Sequence, residues 1–201
     1  MEDKIINLFA FNNKLKFNEI ERLLNTRSNK LAYHLRNLIN KNILIKENNN
    51  YSLTENSEYL IPYLSEKNHA LPIILINLGN RESVFLYKRN KRPYKDCLSL
   101  PGGRILIGES VESAVSRIMR EKFNINAKYE KINSISLEHV KKNNKIIHSF
   151  FLIFVSAKTK DKIKLINVKR NKPKIIKSDY YLIKNKTNSK ISLDVINSNI
   201  I

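Results

Sequence analysis

Between Leu98 and Ile125 the chain reads LSLPGGRILIGESVESAVSRIMREKFNI, and no other stretch sets Gly, Glu, Arg and a helix-forming run at fixed offsets. Pro101-Gly102-Gly103 predicts a turn, because adjacent glycines accept φ > 0 and leave the backbone open to close approach by a ligand. Arg104 to Ile107 predicts a short apolar strand, broken by Gly108 and Glu109. Ser110 is the expected N-cap of a helix in which Val111, Ala114, Val115, Ile118 and Met119 recur at spacings of three and four. One face of that helix must enter a core.

The spacing resembles the Nudix box: Gly, five residues, Glu, seven residues, then Arg-Glu-apolar-any-Glu-Glu-any-Gly-apolar. In that family the box binds divalent metal and nucleoside-diphosphate compounds. Gly103, Glu109 and Arg117 fall on its Gly, first Glu and Arg, Met119 and Ile125 on its apolar positions, and Pro101-Gly102 precede it as is common in the family. The Glu after the Arg is Ile118 here, the first of the paired Glu residues survives as Glu121, the second is Lys122, and the late Gly is Asn124. The resemblance implies a ligand-binding group of Gly102, Gly103, Arg104, Glu109, Arg117, Glu121 and Lys122.

Residues 118 and 122 are one helical turn apart with 121 between them, so three carboxylates there would converge on one patch. Only Glu121 remains. Magnesium wants hard oxygen ligands, and an apolar side chain and an ammonium at two of three positions should cripple its site. Mg2+ or Mn2+ is therefore expected only if the site is active, with Glu121 then the catalytic candidate and metal ligand and Glu138 a further ligand from a loop. Lys122, with Arg117, Arg104 and the open Gly102-Gly103 backbone, can meet a diphosphate directly. The plainer reading is a solvated lysine stabilised by the helix dipole.

The first third of the chain follows a different pattern. Ile5, Ile6, Leu8 and Phe9 mark one helix, and Phe17, Ile20, Leu23 and Leu24 a second with Asn18 as its N-cap. Ser28 caps a third, in which Leu31, Leu35, Leu38 and Ile39 share a face. The opposite face shows Asn29, Lys30, Tyr33, His34, Arg36, Asn37 and Lys41. Ile43 to Glu47 and Tyr51 to Thr54 then alternate around Asn48-Asn49-Asn50 as a hairpin, and Glu55 to Ser65 reads as a closing helix. This order resembles the winged helix-turn-helix of small archaeal and arsenic-repressor-like regulators. The resemblance implies DNA contacts through Arg27, Asn29, Lys30, Tyr33, His34 and Asn37, and through Lys46 and Asn49 on the wing. A winged helix used only for protein contacts is the competing reading.

The expected fold is thus two domains. Residues 1–66 form a winged helix-turn-helix, mainly α with a β-wing, and residues 69–201 a Nudix α/β/α sandwich with a mixed sheet, its box at 103–125 and the resemblance running from about Ala70 to Ile183. Ile73 to Leu78 and Val84 to Arg89 predict a hairpin around residues 79–82, and Tyr129 to Leu137 and Ile146 to Ala157 a second pair of strands.

Charge is uneven along the chain. Lys and Arg exceed Asp and Glu by 19 overall, yet residues 1–68 hold ten against eight, while residues 69–201 hold 27 against ten. Such a surface suits a polyanion or a phosphorylated ligand, and equally a solvated lysine-rich face. Cys97 is the one cysteine, which excludes an intrachain disulfide framework and a Cys-based zinc cluster. His139 and His148 have no metal-ligand spacing and read as structural or surface residues. The longest clean apolar run, Phe150 to Val155, is too short to span a bilayer, so a soluble, cytoplasmic protein without membrane contact is expected.

Together the two halves resemble Nudix-related transcriptional regulators. The resemblance implies a DNA-binding regulator, expected as a homodimer, whose degenerate Nudix domain senses a nucleoside-diphosphate-type or other phosphorylated ligand. The alternative is an active, metal-dependent Nudix hydrolase of nucleoside-diphosphate derivatives. A third class is a scaffold in which both halves only hold partners.

Overall fold

Apolar spacing of three and four dominates the first third of the chain and alternation at period two much of the rest, and the two patterns build separate cores. The computed structural model describes residues 1–57 and 69–193. The chain divides into two units, Met1–Asn68 and His69–Ile201.

The first unit contains α1 (Glu2–Leu8), β1 (Leu15–Lys16), α2 (Phe17–Leu24), α3 (Ser28–Asn40), β2 (Leu44–Glu47) and β3 (Asn50–Leu53). Its core joins Ile5, Ile20, Leu31, Leu35, Leu38 and Leu44, all essentially without exposed surface. Each such side chain contributes roughly 1.5–3 kcal/mol relative to exposure. The three strands form a small antiparallel sheet in the order β1-β3-β2. Asn48 and Asn49 turn its hairpin at φ of 45° and 67°, a left-handed conformation that asparagine tolerates.

Two helix starts differ from expectation. The N-cap of α2 is Lys16, not Asn18, because the Lys16 backbone N–H donates to the Glu19 carboxylate at 2.6 Å. Helix α3 already includes Ser28, with Arg27 as N-cap, since the Ser28 hydroxyl bonds Glu21 across the turn instead of capping. The expected helix from Glu55 to Ser65 starts in 3₁₀ conformation at residues 55–57, and its remainder lies outside the described residues.

The second unit contains β4 (Leu71–Asn77), β5 (Ser83–Val84), β6 (Tyr87–Lys88), β7 (Leu98–Ser99), β8 (Gly102–Gly103), α4 (Val111–Phe123), β9 (Ala127–Lys142), β10 (Lys145–Thr159), β11 (Ile166–Asn167) and α5 (Lys177–Lys186). Its main sheet runs β8-β4-β10-β9. Strand β4 is parallel to β10, while β8 is antiparallel to β4 and β9 to β10, so the sheet is mixed. Period two then sorts side chains between two cores. Ile74, Ile76, Ile153 and Val155 face α4, where they meet Ala114, Val115, Ile118 and Met119. Leu75, Leu152 and Phe154 face the other way and meet Leu182 and Ile183 of α5. Helix, sheet and helix form the three layers of an α/β/α sandwich.

Three local expectations fail in this unit. Gly102 and Gly103 form no turn; they pair as a strand with Leu75 and Ile74. Arg104 to Ile107 is not a strand, because its backbone groups are taken by side chains: Leu106 N–H by Glu109, and the Arg104 carbonyl by Arg117. The predicted hairpin from Ile73 to Arg89 shrinks to a single bridge between Gly79 and Val84, since β5 pairs with β11 and β6 with β7. Among the described residues, no helix is long and apolar enough to cross a membrane.

Candidate ligand cavity

The box residues divide into a scaffold and a cavity wall. Helix α4 begins at Ser110, whose hydroxyl accepts from the Ser113 N–H, and ends at Asn124 in the left-handed region. These caps fix the helix ends. Arg117 then ties the helix to the loop before it. Its Nε donates to Glu109 Oε1 at 2.6 Å, and its Nη2 to Glu109 Oε2 at 2.8 Å and to the Arg104 carbonyl at 2.9 Å. Glu109 also accepts from the Leu106 N–H at 2.9 Å. The Arg117 guanidinium holds the Glu109 carboxyl below the ordinary carboxylate range, and Glu109 in turn raises Arg117. Both groups are consumed in shaping the loop.

Gly102 is required by close approach, since a Cβ there would lie 2.6 Å from the Ile74 carbonyl oxygen. A Cβ on Gly103 would lie 3.0 Å from the Ile118 side chain and 3.3 Å from Lys122 Nζ. The glycines therefore let the strand lie flat against β4 and let Lys122 fold back over it. Lys122 Nζ donates to the Gly102 carbonyl at 2.6 Å. Burial, then Arg117 and Arg89, push the Lys122 ammonium below the usual lysine value.

Beside these residues lies a cavity of about 720 Å³. Gly102, Gly103, Arg104 and Lys122 contribute to one part of its lining, and Lys88, Arg89, Lys91 and Arg92 add further positive charge. Tyr87, Phe123 and Phe150 give it aromatic surface. Arg89 is held by its Nε, which donates to the carbonyls of Pro93 at 2.8 Å and Lys91 at 3.1 Å. Two acids also line the cavity. Glu138 accepts from the Tyr94 hydroxyl at 3.0 Å, and burial followed by Glu138 raises that hydroxyl. Asp179 Oδ2 accepts from the Leu100 N–H at 2.7 Å and from Ser99 Oγ at 3.0 Å. Burial nevertheless pushes the Asp179 carboxyl up to about 7.

The structure thus separates residues that the spacing grouped together. Gly102, Gly103, Arg104, Lys122 and Glu138 share the cavity; Glu109, Arg117 and Glu121 do not line it. Glu121 lies with Arg117, Arg120 and Lys128 around a different depression, its side chain 60 % exposed and 3.5 Å from Arg117. Ile118 has no exposed surface. A divalent cation at the box would meet a buried hydrocarbon, an ammonium already bonded to a carbonyl, and a carboxylate turned elsewhere. This donor set does not fit Mg2+ or Mn2+. Glu138, predicted on a loop, stands within β9. His148 lines the cavity and stacks on Phe150, while His139 meets Ser149.

Sequence reasoning missed Arg89, Lys91, Tyr94 and Asp179. The basic run LYKRNKRPY was the signal for the first three. Asp179 had a fainter one, as one of two acids in the otherwise basic stretch from Lys158 to Lys190.

In the first unit, Arg27, Asn29, Lys30, Tyr33, Lys46 and Asn49 are exposed, Tyr33 at 61 %. His34 and Asn37 are not free on that face. Both are half-buried, and His34 Nδ1 lies 3.8 Å from the Glu2 carboxylate, which Lys41 also engages at 2.5 Å.

Residues 67–175 match the NUDIX domain family. The chain belongs to that family. The curated relative matched by the Nudix chain is an ADP-ribose pyrophosphatase of Methanocaldococcus jannaschii, 47 % identical over 38 residues. That alignment covers 19 % of this chain and 22 % of the relative, so less than a quarter of the relative's length is spanned. Among solved structures, a NUDIX hydrolase from Nitrosomonas europaea superposes with a TM-score of 0.51 at 14 % identity, over 65 % of this chain and 98 % of its own. A NUDIX-family hydrolase from Clostridium perfringens gives a TM-score of 0.45 at 16 % identity, over 59 % and 97 %. The first of these likenesses concerns the Nudix fold alone.

Proposed function

We propose that the Nudix unit binds a nucleoside-diphosphate-type compound, with the diphosphate among Arg89, Lys91, Arg104 and Lys122 and the base against the aromatic wall. The observation that carries this reading is the cavity itself, where cationic and aromatic side chains share one space. Guanidinium and ammonium groups match phosphate oxygens, and aromatic faces suit a planar base. The local likeness to an ADP-ribose pyrophosphatase supports the same ligand class.

Hydrolysis of such a compound is the second reading. The relatives support it, since they carry hydrolase or pyrophosphatase names. This chain's own side chains oppose it, because Ile118 and Lys122 leave the box without a divalent-metal donor set. One experiment separates the two readings: thermal shift and product chromatography with ADP-ribose, ADP and UDP-glucose, each with and without Mg2+ or Mn2+. Stabilisation without product supports a binding domain; metal-dependent turnover by the unaltered protein supports the hydrolase.

The first unit extends the reading to regulation. Its helices, short turn and asparagine-turned hairpin follow the order of a winged helix, and Lys30, Tyr33 and Lys46 stand exposed on α3 and the hairpin. That pattern supports a DNA-binding regulator that responds to the bound nucleotide. Its near-balanced charge is the one feature that argues for protein contacts instead. Gel shifts against genomic fragments, with and without ADP-ribose, decide between them.

A further inference from the structure

In the Nudix family the box meets a diphosphate through a divalent cation. We infer that here the Lys122 ammonium takes that cation's place, so that the cavity accepts the phosphates of a nucleoside diphosphate without metal. This inference rests on the nucleoside-diphosphate reading above and adds how the anion is held.

Position is the first argument. Lys122 Nζ is docked 2.6 Å from the Gly102 carbonyl, at the cavity wall. The missing Cβ of Gly103 leaves the space, since one there would come within 3.3 Å of the ammonium. Docking consumes one of three N–H donors and leaves two for a ligand. A lysine fixed in this way has already lost much of its rotamer freedom before an anion arrives.

Charge balance is the second. Glu121 adjoins Lys122 in sequence but leans to Arg117 and lies outside the cavity lining. Two acids line the cavity, each hydrogen-bonded within the protein, Glu138 by Tyr94 and Asp179 by Leu100 and Ser99, and the cations there outnumber them. Burial first, then the like charges of Arg117, Arg89 and Lys91, lower the proton affinity of Lys122, with Glu121 opposing them only in part. Six cationic side chains, Lys88, Arg89, Lys91, Arg92, Arg104 and Lys122, line one space and repel one another, and a diphosphate relieves that repulsion. A metal would add to it.

The third argument is what stands at the neighbouring position. Ile118 is fully buried and packs under Gly103. Packed in the core between α4 and the sheet, it supplies hydrocarbon where the family's box has a carboxylate, so that position offers a cation no oxygen ligand.

Calorimetry with ADP and with inorganic pyrophosphate, each in EDTA and in Mg2+, tests the inference on the full chain. Wild type should bind both probes in EDTA. Lys122→Met should weaken binding at least tenfold, about 1.4 kcal/mol, while Lys122→Arg, which keeps the charge, should retain most of it. Binding that requires Mg2+, or affinity unchanged in Lys122→Met, overturns the inference and leaves the nucleoside-diphosphate reading standing. No binding by wild type in either buffer overturns both. If Lys122→Met fails to fold, as judged by circular dichroism, the wild-type comparison between EDTA and Mg2+ decides alone.

Discussion

Arg117 and Glu109, eight residues apart, meet in a two-point ion pair with N···O distances of 2.6 and 2.8 Å, and the same arginine reaches the Arg104 carbonyl. A motif pair that the sequence associates with ligand binding is here a clasp that closes the loop between β8 and α4.

That clasp is testable. Arg117→Ala should leave Glu109 short of its partner and destabilise the protein by roughly 1–3 kcal/mol, read as a fall in thermal midpoint. Arg117→Lys should recover only part, because an ammonium cannot make the planar two-point contact. A midpoint unchanged in the alanine variant would show that the loop holds its shape without the pair.

Gly102→Ala should be worse tolerated than its small size suggests. The added methyl would lie 2.6 Å from the backbone oxygen of Ile74, which cannot swing away as a side chain can. Overpacking of this kind costs roughly 1–3 kcal/mol, and it would also displace the carbonyl that Lys122 bonds. Chemical denaturation measures the first effect; pyrophosphate affinity measures the second.

Asp179 predicts a pH dependence of stability. Its carboxyl is raised from an ordinary 3.8 to about 7 by burial, against the opposing pull of its two hydrogen bonds. Between those values the folded state holds a proton that the unfolded chain has released, so stability falls as pH rises from about 4 to 7 and then levels off. The neighbouring charges that face it are Glu138 and Arg89. Asp179→Asn keeps an acceptor for Leu100 and Ser99 while removing the titration. Denaturation midpoints across this range should therefore slope less in the variant than in wild type; equal slopes would refute the assignment.

The DNA reading makes its own demand. Lys30→Ala should weaken binding to every fragment alike and reduce the salt dependence by about one unit for a lost phosphate contact. Asn37→Ala should act differently from a base-contact mutant, since Asn37 is half-buried on α3: it should lower thermal stability before it changes sequence preference. Filter binding at several salt concentrations, paired with melting curves, separates the two effects.

What the sequence determined by itself was whatever depends on short-range spacing. The apolar recurrence from Val111 to Met119 and the Ser110 cap specify α4, because capping and amphipathicity act within a few residues. The asparagines at 48 and 49 specify a hairpin turn through their tolerance of positive φ. The offsets from Gly103 to Arg117 were sufficient to indicate the family. Tertiary structure decided the rest. It turned Gly102 and Gly103 from a turn into a strand, because a backbone without Cβ can lie against β4. It placed the cavity beside Lys122 and left Glu121, its neighbour in sequence, at a different depression, because packing decides which part of a helix surface borders which space. It also brought Asp179 beside Leu100 and Ser99, about eighty positions away. No local pattern encodes that meeting, which arises only when α5 packs its Leu182 and Ile183 onto the sheet and carries the carboxyl in with them.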